Sequence, residues 1–363
     1  MKAKFVVNAK FLEASEKDNN GIFRYEREIA LRLKEYDKDI RFLCSRNIES
    51  NKFSKALQPE TFGRFKGSLW EQADLPFYVR RKYKGYYILN LNNTSPVFYQ
   101  KKICAIHDLT WKHFPQTFDR KSKLYLSNVM SRAIRTAPVL LTVSNFSKQD
   151  IVNCYKVDPD KIKVIYPGFY HTLVKDDDRE WQEKVAEFGL KRNRFFLATM
   201  YKNPETLIKA FRMLDIPDVK LVFFGNLFKD VFGHLMPEIE ASENIVYLGK
   251  VSDSLLIHLY SNALAFVFPT FNEGFGTPPL EAMSFDCPAI VSNVASIPEV
   301  SGPAALYIDP YSPSDIMEKM KRLYHEPELR EELIRKGRTR FPLFNYDKTT
   351  SELISLLKSL NIY

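Results

Sequence analysis

The chain has 363 residues, more than one hydrophobic core usually spans, and two domains are expected from that length. With 45% hydrophobic, 27% charged and 14% aromatic residues, the composition excludes a disordered chain, a low-complexity repeat and a small peptide module. The net charge of +9 is unevenly spread: residues 1–175 carry 32 basic and 17 acidic side chains, whereas residues 176–363 carry 21 and 27. A basic half commonly faces an anionic polymer or membrane while the other half does something else.

Along the chain, apolar runs alternate with helical periodicity, the pattern of parallel sheets wrapped by helices. The N-terminal apolar stretch is broken by Asn8 and Lys10 and is too short for a secretory leader. No run of about 18 apolar residues follows, so membrane contact is predicted to be peripheral. Strands are predicted at Lys4–Asn8, Ile40–Cys44, Tyr87–Leu91, Lys102–Ile106, Val139–Val143 and Lys163–Tyr166. Between them Tyr25–Lys34 places Tyr25, Ile29 and Leu33 on one helical face, and Ser144 caps a helix starting near Phe146. The half closes at the turn Tyr166-Pro167-Gly168, and residues 171–194, with Asp176-Asp177-Asp178, read as a linker plus a short helix.

The second half repeats the plan, with strands at Phe195–Thr199, Val219–Phe224, Ile245–Leu248, Ala263–Phe268, Ala289–Val291 and Ala305–Ile308 and a helical C-terminus from about Ser314. Two Rossmann-like halves are implied, with a ligand site at the carboxyl ends of their strands, in a cleft between the halves. Neither G-x-G-x-x-G nor a P-loop is present, which counts against the corresponding NAD and ATP enzymes. Cys44, Cys104, Cys154 and Cys287 form no CxxC and have no histidine at metal-ligand spacing. That usage points to a reducing, cytoplasmic setting. Asp37-Lys38-Asp39 and Asp158-Pro159-Asp160 have Asp-x-Asp spacing without an apolar strand leading into them, and both read as solvated turns.

The most informative stretch is Pro269–Met283, which follows the strand Ala263–Phe268. Gly274 and Gly276 lie in a loop directly after a strand, Thr277 reads as the N-cap and Pro278 as the first residue of a helix whose free amides can hold an anion. Glu273 in the loop and Glu281 in the first turns can face one ligand, and carboxylates accept hydrogen bonds from sugar or ribose hydroxyls. The plainer reading is that Glu281 favours a helix start and the glycines turn the chain.

The order of these segments resembles the retaining glycosyltransferases of family 4 over nearly the whole chain. EGFGTPPLEA carries Glu-x7-Glu and is followed by PAIVSNVASIPEV and GPAALYIDP; NNGIFRYEREIALRL, KKICAIHDLTWKHFP, the stretch ending KVIYPGF, LATMYKNPETLIKAF and YLGKVSDSLLIHLYSNALAFVFPT stand in the family's order. The resemblance implies the GT-B fold: an acceptor-binding domain at 1–172, a nucleotide-sugar domain at 190–340, and a C-terminal helix at 341–363 returning to the first domain.

It also implies roles. Glu273 matches the glutamate on the donor sugar hydroxyls and Glu281 the one on the nucleotide ribose, while Gly274, Phe275, Gly276 and Thr277 offer backbone amides. His107 matches the histidine that touches the donor sugar from the other domain; Asp108 orients it, caps the following turn or meets substrate. Lys202 matches a lysine that neutralises the diphosphate, with Thr199 beside it. Gly21 brings amides to a phosphate, and Gly249, Lys250 and Val251 present backbone groups to the base. Two departures stand out: Tyr201 replaces an arginine, and Phe23 replaces a second glycine in the expected glycine loop Asn20–Arg24, which it narrows. Arg24 reads equally as a phosphate contact or a helix-surface charge.

The implied reaction is hexosyl transfer with retention from a nucleotide-diphosphate sugar, GDP-mannose being slightly favoured, without metal or other cofactor. The implied acceptor is a glycan or lipid-linked glycan of cell-surface polysaccharide or lipopolysaccharide synthesis. Lys52–Tyr87 and Lys112–Arg135 interleave Lys/Arg with aromatic residues, a pattern suited to the anionic inner face of a plasma membrane, which a nucleic-acid surface or an ordinary solvated face also produces. No nucleic-acid partner is expected. The two departures also suit a sugar-nucleotide-binding scaffold of the same fold that has lost turnover.

Overall fold

The computed structural model describes residues 3–15, 21–169, 178–225 and 243–363; Asn20 of the proposed glycine loop and Asp176-Asp177 of the linker lie outside them. The chain divides into two compact units, Met1–Gly168 together with Phe344–Tyr363, and Phe169–Leu343. Counted by unit, the first holds 33 basic and 19 acidic residues and the second 20 and 25. The charge asymmetry seen along the sequence therefore belongs to the folded units.

Unit 1 is built on strands β1 (Phe5–Asn8), β2 (Arg41–Cys44), β3 (Glu60–Thr61), β4 (Tyr87–Asn90), β5 (Lys102–Ala105), β6 (Val139–Thr142) and β7 (Ile162–Val164), in the order β3-β2-β1-β4-β5-β6-β7. All pairings are parallel. The apolar strands are covered on both faces, as parallel sheets require. Phe5 and Val7 point into a core shared with Tyr25, Ile29 and Leu33 of the helix Gly21–Tyr36. Val6 points the other way, against Leu43, Trp70 and Ile88. The edge strand β3 has two residues, too short to leave an alternating pattern, and the sequence reading misses it.

The C-terminal helix Tyr346–Ser359 adds Tyr346, Leu353, Ile354 and Leu357 to the first of these cores. Gly168 lies directly beneath its start: a Cβ there would sit 2.1 Å from the backbone nitrogen of Tyr346. The turn glycine is thus needed for close backbone approach. Thr349 Oγ1 donates to the Tyr166 carbonyl at 2.7 Å and fixes the same junction.

Unit 2 holds β8 (Phe195–Thr199), β9 (Lys220–Phe224), β10 (Ile245–Tyr247), β11 (Ala265–Phe268), β12 (Ala289–Ser292) and β13 (Ala305–Ile308), ordered β10-β9-β8-β11-β12-β13 and again wholly parallel. Helices Pro204–Met213 and Pro313–His325 cover one face through Leu207, Phe211, Ile316 and Met320. Within each sheet the chain builds outward on one side of its first strand and then crosses to the other. Both sheets therefore have a topological switch point, between β1 and β4 and between β8 and β11.

Candidate functional site

In unit 2 the loops following β8 and β11 meet at the switch point, where ligands of open parallel sheets bind. Lys202 follows β8, Glu273 follows β11, and the two form an ion pair through Lys202 Nζ and Glu273 Oε1. Their side chains keep 26% and 18% of their surface in solvent, so the pair is accessible to a ligand. Asn203, with φ of 52°, donates from Nδ2 to the carbonyls of Pro269 (3.0 Å) and Pro310 (2.8 Å). It ties the lysine-bearing turn to the glutamate-bearing loop. Thr199, at the end of β8, is buried, and its hydroxyl has no hydrogen-bond partner among the described residues.

The loop bearing Glu273 is braced from below. Ser296 Oγ lies 2.9 Å from the carbonyl oxygens of both Glu273 and Phe275. Gly276 has φ of 94°, and a Cβ on it would meet Ile297 Cδ1 at 2.5 Å, so both conformation and space demand glycine. Here the sequence reading is corrected: Gly276 is the N-cap and Thr277 is the first residue of the helix Thr277–Ser284, because the left-handed turn is completed at the glycine. Glu281 sits on the second turn of that helix, with the buried Tyr260 hydroxyl 3.5 Å from Oε2. Gly249 accepts from the Gly225 amide at 2.8 Å, and the Tyr201 ring packs against Gly225. Lys202 Nζ stands 5.4 Å from the centre of that ring. Lys250 is exposed and Val251 partly exposed beyond Gly249.

In unit 1, His107 follows β5 and is buried. Its amide donates to Asn93 Oδ1 (2.7 Å), its carbonyl accepts from Ser147 Oγ (2.9 Å), and its ring stands nearly perpendicular to that of Tyr25 with centroids 4.9 Å apart. Nε2 lies 2.9 Å from the Leu91 carbonyl; a carbonyl only accepts, so Nε2 carries the proton. Burial lowers the imidazole pKa against the raising effects of the Leu91 carbonyl and Asp108. The neutral ring then offers Nδ1 as an acceptor. Asp108 Oδ1 accepts from the Thr110 amide at 2.8 Å and so caps the following turn.

Gly21 is the exposed first residue of the helix Gly21–Tyr36. The loop reading of Phe23 is corrected accordingly: it is a helical residue packed against the core, where it narrows no loop. Arg24 lies on the same helix, close enough to act electrostatically on Tyr346.

A second polar cluster lies at the β1–β4 switch point. Asn8 and Asn90 close those two strands, and Asn8 Nδ2 donates to Asn90 Oδ1 (3.0 Å) and to Glu71 Oε1 (2.9 Å). Glu71 is fully buried and pairs with Lys10 at 2.9 Å. Thr94 donates to Glu71 and receives from Lys10, at 3.1 and 3.0 Å. Burial pulls the Lys10 pKa down, but the Glu71 carboxylate more than reverses this. Glu26, also buried, accepts from Asn92 Nδ2 at 3.3 Å, and burial pushes its carboxyl pKa up to about 8.

Comparison with known proteins gives this geometry its family. Residues 190–340 match the model for glycosyl transferases group 1 and residues 19–172 that for glycosyltransferase family 4. The chain is similar to the O-antigen chain mannosyltransferase B of Escherichia coli, 28% identical over 77% of this chain and 76% of that one. It is also similar to the O-antigen chain mannosyltransferase RfbU of Salmonella typhimurium, 28% identical over 66% and 65%. The chain belongs to glycosyltransferase family 4. Its fold is that of solved GT-B relatives: Anabaena HepE superposes with a TM-score of 0.73 at 18% identity, over 99% of this chain and 100% of that one.

In this glycosyltransferase the fold brings Lys202 and Glu273 together as a pair, with Thr199 and the loop Gly274–Thr277 on neighbouring ends of the same sheet. His107, Asp108 and Gly21 lie in the other unit. Sequence reading misses Lys10, Glu26, Glu71, Asn93, Asn203 and Ser296. Asn8 and Asn90, each closing an apolar strand, were the available signal for the cluster in unit 1. His113, Asp150 and Cys154 hold ligand-capable atoms within 4.8 Å of one another: Asp150 and Cys154 are one turn apart on the helix Asn145–Tyr155, and the fold brings His113 to them. His113 Nε2 lies 2.9 Å from both carboxylate oxygens of Asp150 there, which accounts for the contact as a hydrogen bond. All four cysteines are free thiols.

Proposed function

We propose that this glycosyltransferase moves a mannosyl unit from a nucleoside-diphosphate donor, GDP-mannose in the first instance, to a glycan or lipid-linked glycan of O-antigen type. The Lys202–Glu273 pair across the β8–β11 switch point carries this reading, and the O-antigen mannosyltransferases among its relatives supply the sugar class. Donor binding replaces the pair: the diphosphate takes Lys202, and sugar hydroxyls take Glu273. Thr199 and the backbone groups of Gly21, Gly274, Phe275, Gly276 and Thr277 serve the sugar and diphosphate; Gly249, Lys250, Val251 and Glu281 serve the nucleoside. His107 Nδ1 accepts from a hydroxyl of the donor sugar.

The reaction proposed is transfer with retention and without a metal ion. The bond from the anomeric carbon to the phosphate oxygen breaks, and its electron pair leaves with the nucleoside diphosphate, whose growing charge Lys202 and the amides stabilise. The acceptor hydroxyl bonds to the same face of the anomeric carbon and gives its proton to the departing phosphate. NMR of the product formed from GDP-mannose tests this, with UDP-glucose as the competing donor. An α product is expected, and loss of turnover in Glu273→Ala and His107→Ala; a β product overturns retention. Turnover unchanged by both substitutions overturns the site.

We further propose that unit 1 docks on an anionic bilayer from the cytoplasmic side. Among the described residues no helix is long and apolar enough to cross a membrane. Phe77 and Phe98 are exposed beside arginines: Arg80 and Arg81 follow Phe77 on one helix, Arg80 Nη2 donates to the Phe98 carbonyl (2.5 Å), and Arg132 lies 5.3 Å from the Phe98 ring centre. Exposed apolar rings flanked by arginines suit a lipid headgroup layer. Sedimentation with vesicles is expected to rise with anionic lipid content; indifference to lipid charge overturns the docking.

A further inference from the structure

The buried polar cluster of unit 1 has no part in the donor chemistry, yet it occupies the position where an open parallel sheet binds ligands. Well-packed apolar side chains commonly stabilise a fold as well as a buried ion pair does, so stability alone is a weak reason for this cluster. Its members are graded in exposure. Glu71, Asn8 and Asn90 are sealed beneath, Lys10 keeps 19% of its side chain in solvent, and Asn92 is partly exposed. Lys10 is held by Glu71 and Thr94, and Tyr125 on the helix Arg120–Thr136 lies 3.4 Å from Glu71 Oε2.

The charge balance limits what such a site can take. The Lys10 ammonium is already matched by the Glu71 carboxylate, and Glu26 is a neutral acid at pH 7, able to donate as well as accept. The cluster therefore offers no surplus positive charge to a phosphate. It does offer an ammonium and an amide with access to solvent, backed by a buried hydroxyl and a buried carboxylic acid, and hydroxyl groups pair with both of the accessible groups.

We propose that Lys10 and Asn92, backed by buried Glu26, Glu71 and Thr94, form a subsite that reads the hydroxyls of an uncharged acceptor sugar. Lys10 and Asn92 touch the sugar, and Glu71 is a positioning residue that sets Lys10. This rests on the reading of unit 1 as the acceptor side.

The test is saturation-transfer NMR on the full chain with methyl α-mannopyranoside and methyl α-glucopyranoside, beside thermal shifts with GDP and UDP. At least one glycoside is expected to bind. Lys10→Met/Glu71→Gln, which leaves no orphaned charge, is expected to weaken it about tenfold or more, as for loss of a hydrogen bond to a charged group. Lys10→Arg is expected to keep most of the binding and inorganic phosphate not to displace the glycoside. Should the double variant fail to fold, Asn92→Ala gives the same reading from the partly exposed rim. Absence of glycoside binding to the native chain, binding unchanged in the variants, or displacement by phosphate overturns the subsite. Nucleotide shifts are read separately: their absence overturns the donor reading, and the glycoside result decides the subsite either way.

Discussion

Each unit of the enzyme places a lysine–glutamate pair at its topological switch point, and the two pairs differ in what surrounds them. Lys10–Glu71 is sunk among Asn8, Thr94 and Tyr125, with the glutamate wholly out of solvent. Lys202–Glu273 keeps solvent access on both partners, and among the described residues Thr270 is the further side-chain neighbour of the carboxylate, 3.4 Å from Oε1. A pair closed in by neutral partners holds a fixed arrangement of donors, whereas a pair open to solvent can be exchanged for ligand groups. The difference suggests a pre-formed site in unit 1 and a site in unit 2 that is completed by its donor.

The largest effect expected from this contrast is on stability. Lys10→Met leaves the Glu71 carboxylate buried and unpaired, and should cost about 3–5 kcal/mol in chemical denaturation. Lys202→Ala removes a partly exposed pair worth about 1 kcal/mol or less. A loss under 1 kcal/mol in Lys10→Met would remove the distinction between the pairs.

The same two variants should reverse in turnover. Lys202→Ala is expected to lower kcat by about 10²–10³-fold, the usual consequence of removing one group that stabilises developing charge. Release of nucleoside diphosphate from GDP-mannose measures it. A normal kcat in Lys202→Ala would show that another cation, or the loop amides alone, carries the leaving group.

A smaller change tests whether the unit 2 pair depends on its loop. Gly276→Ala must hold a side chain at φ of 94° and push Ile297 aside, a strain of about 1–3 kcal/mol. Its expected signature is weaker nucleotide binding in a thermal-shift assay, with unit 1 unaffected. Nucleotide binding equal to the native chain would mean that the loop conformation is dispensable.

How much of this was legible beforehand differs between the same two regions. The unit 2 site lies in two short segments whose residue types announce themselves: Glu273 and Glu281 bracket two glycines after an apolar strand, and Lys202 follows another. Only the cap was misplaced, since the choice between Gly276 and Thr277 depends on a left-handed φ that composition does not reveal. The twelve longer strands were readable from their apolar runs, and β3 was not, since Glu60-Thr61 has no pattern to read. The unit 1 cluster draws Lys10, Glu26, Glu71 and Asn92 from four separate stretches and becomes a cluster only once β1 and β4 are neighbours. Glu71 also sits in a segment that reads as basic and aromatic, which hid a buried carboxylate.

A change in pH, read through Glu26, probes the closed character of the unit 1 cluster. Its folded pKa of about 8 lies above the usual carboxyl value of 4.5, so between those values the folded state holds a proton that the unfolded state has lost. For this group, stability is full below pH 4.5 and declines as pH rises toward 8, by about 1.4 kcal/mol per pH unit at most. Glutamine mimics the protonated acid. Glu26→Gln should therefore match the native chain near pH 5, exceed it at pH 8 and show a flatter profile in urea midpoints between them. An unchanged profile would place Glu26 in contact with water and open the cluster in the way Lys202–Glu273 is open, erasing the contrast between the two switch points.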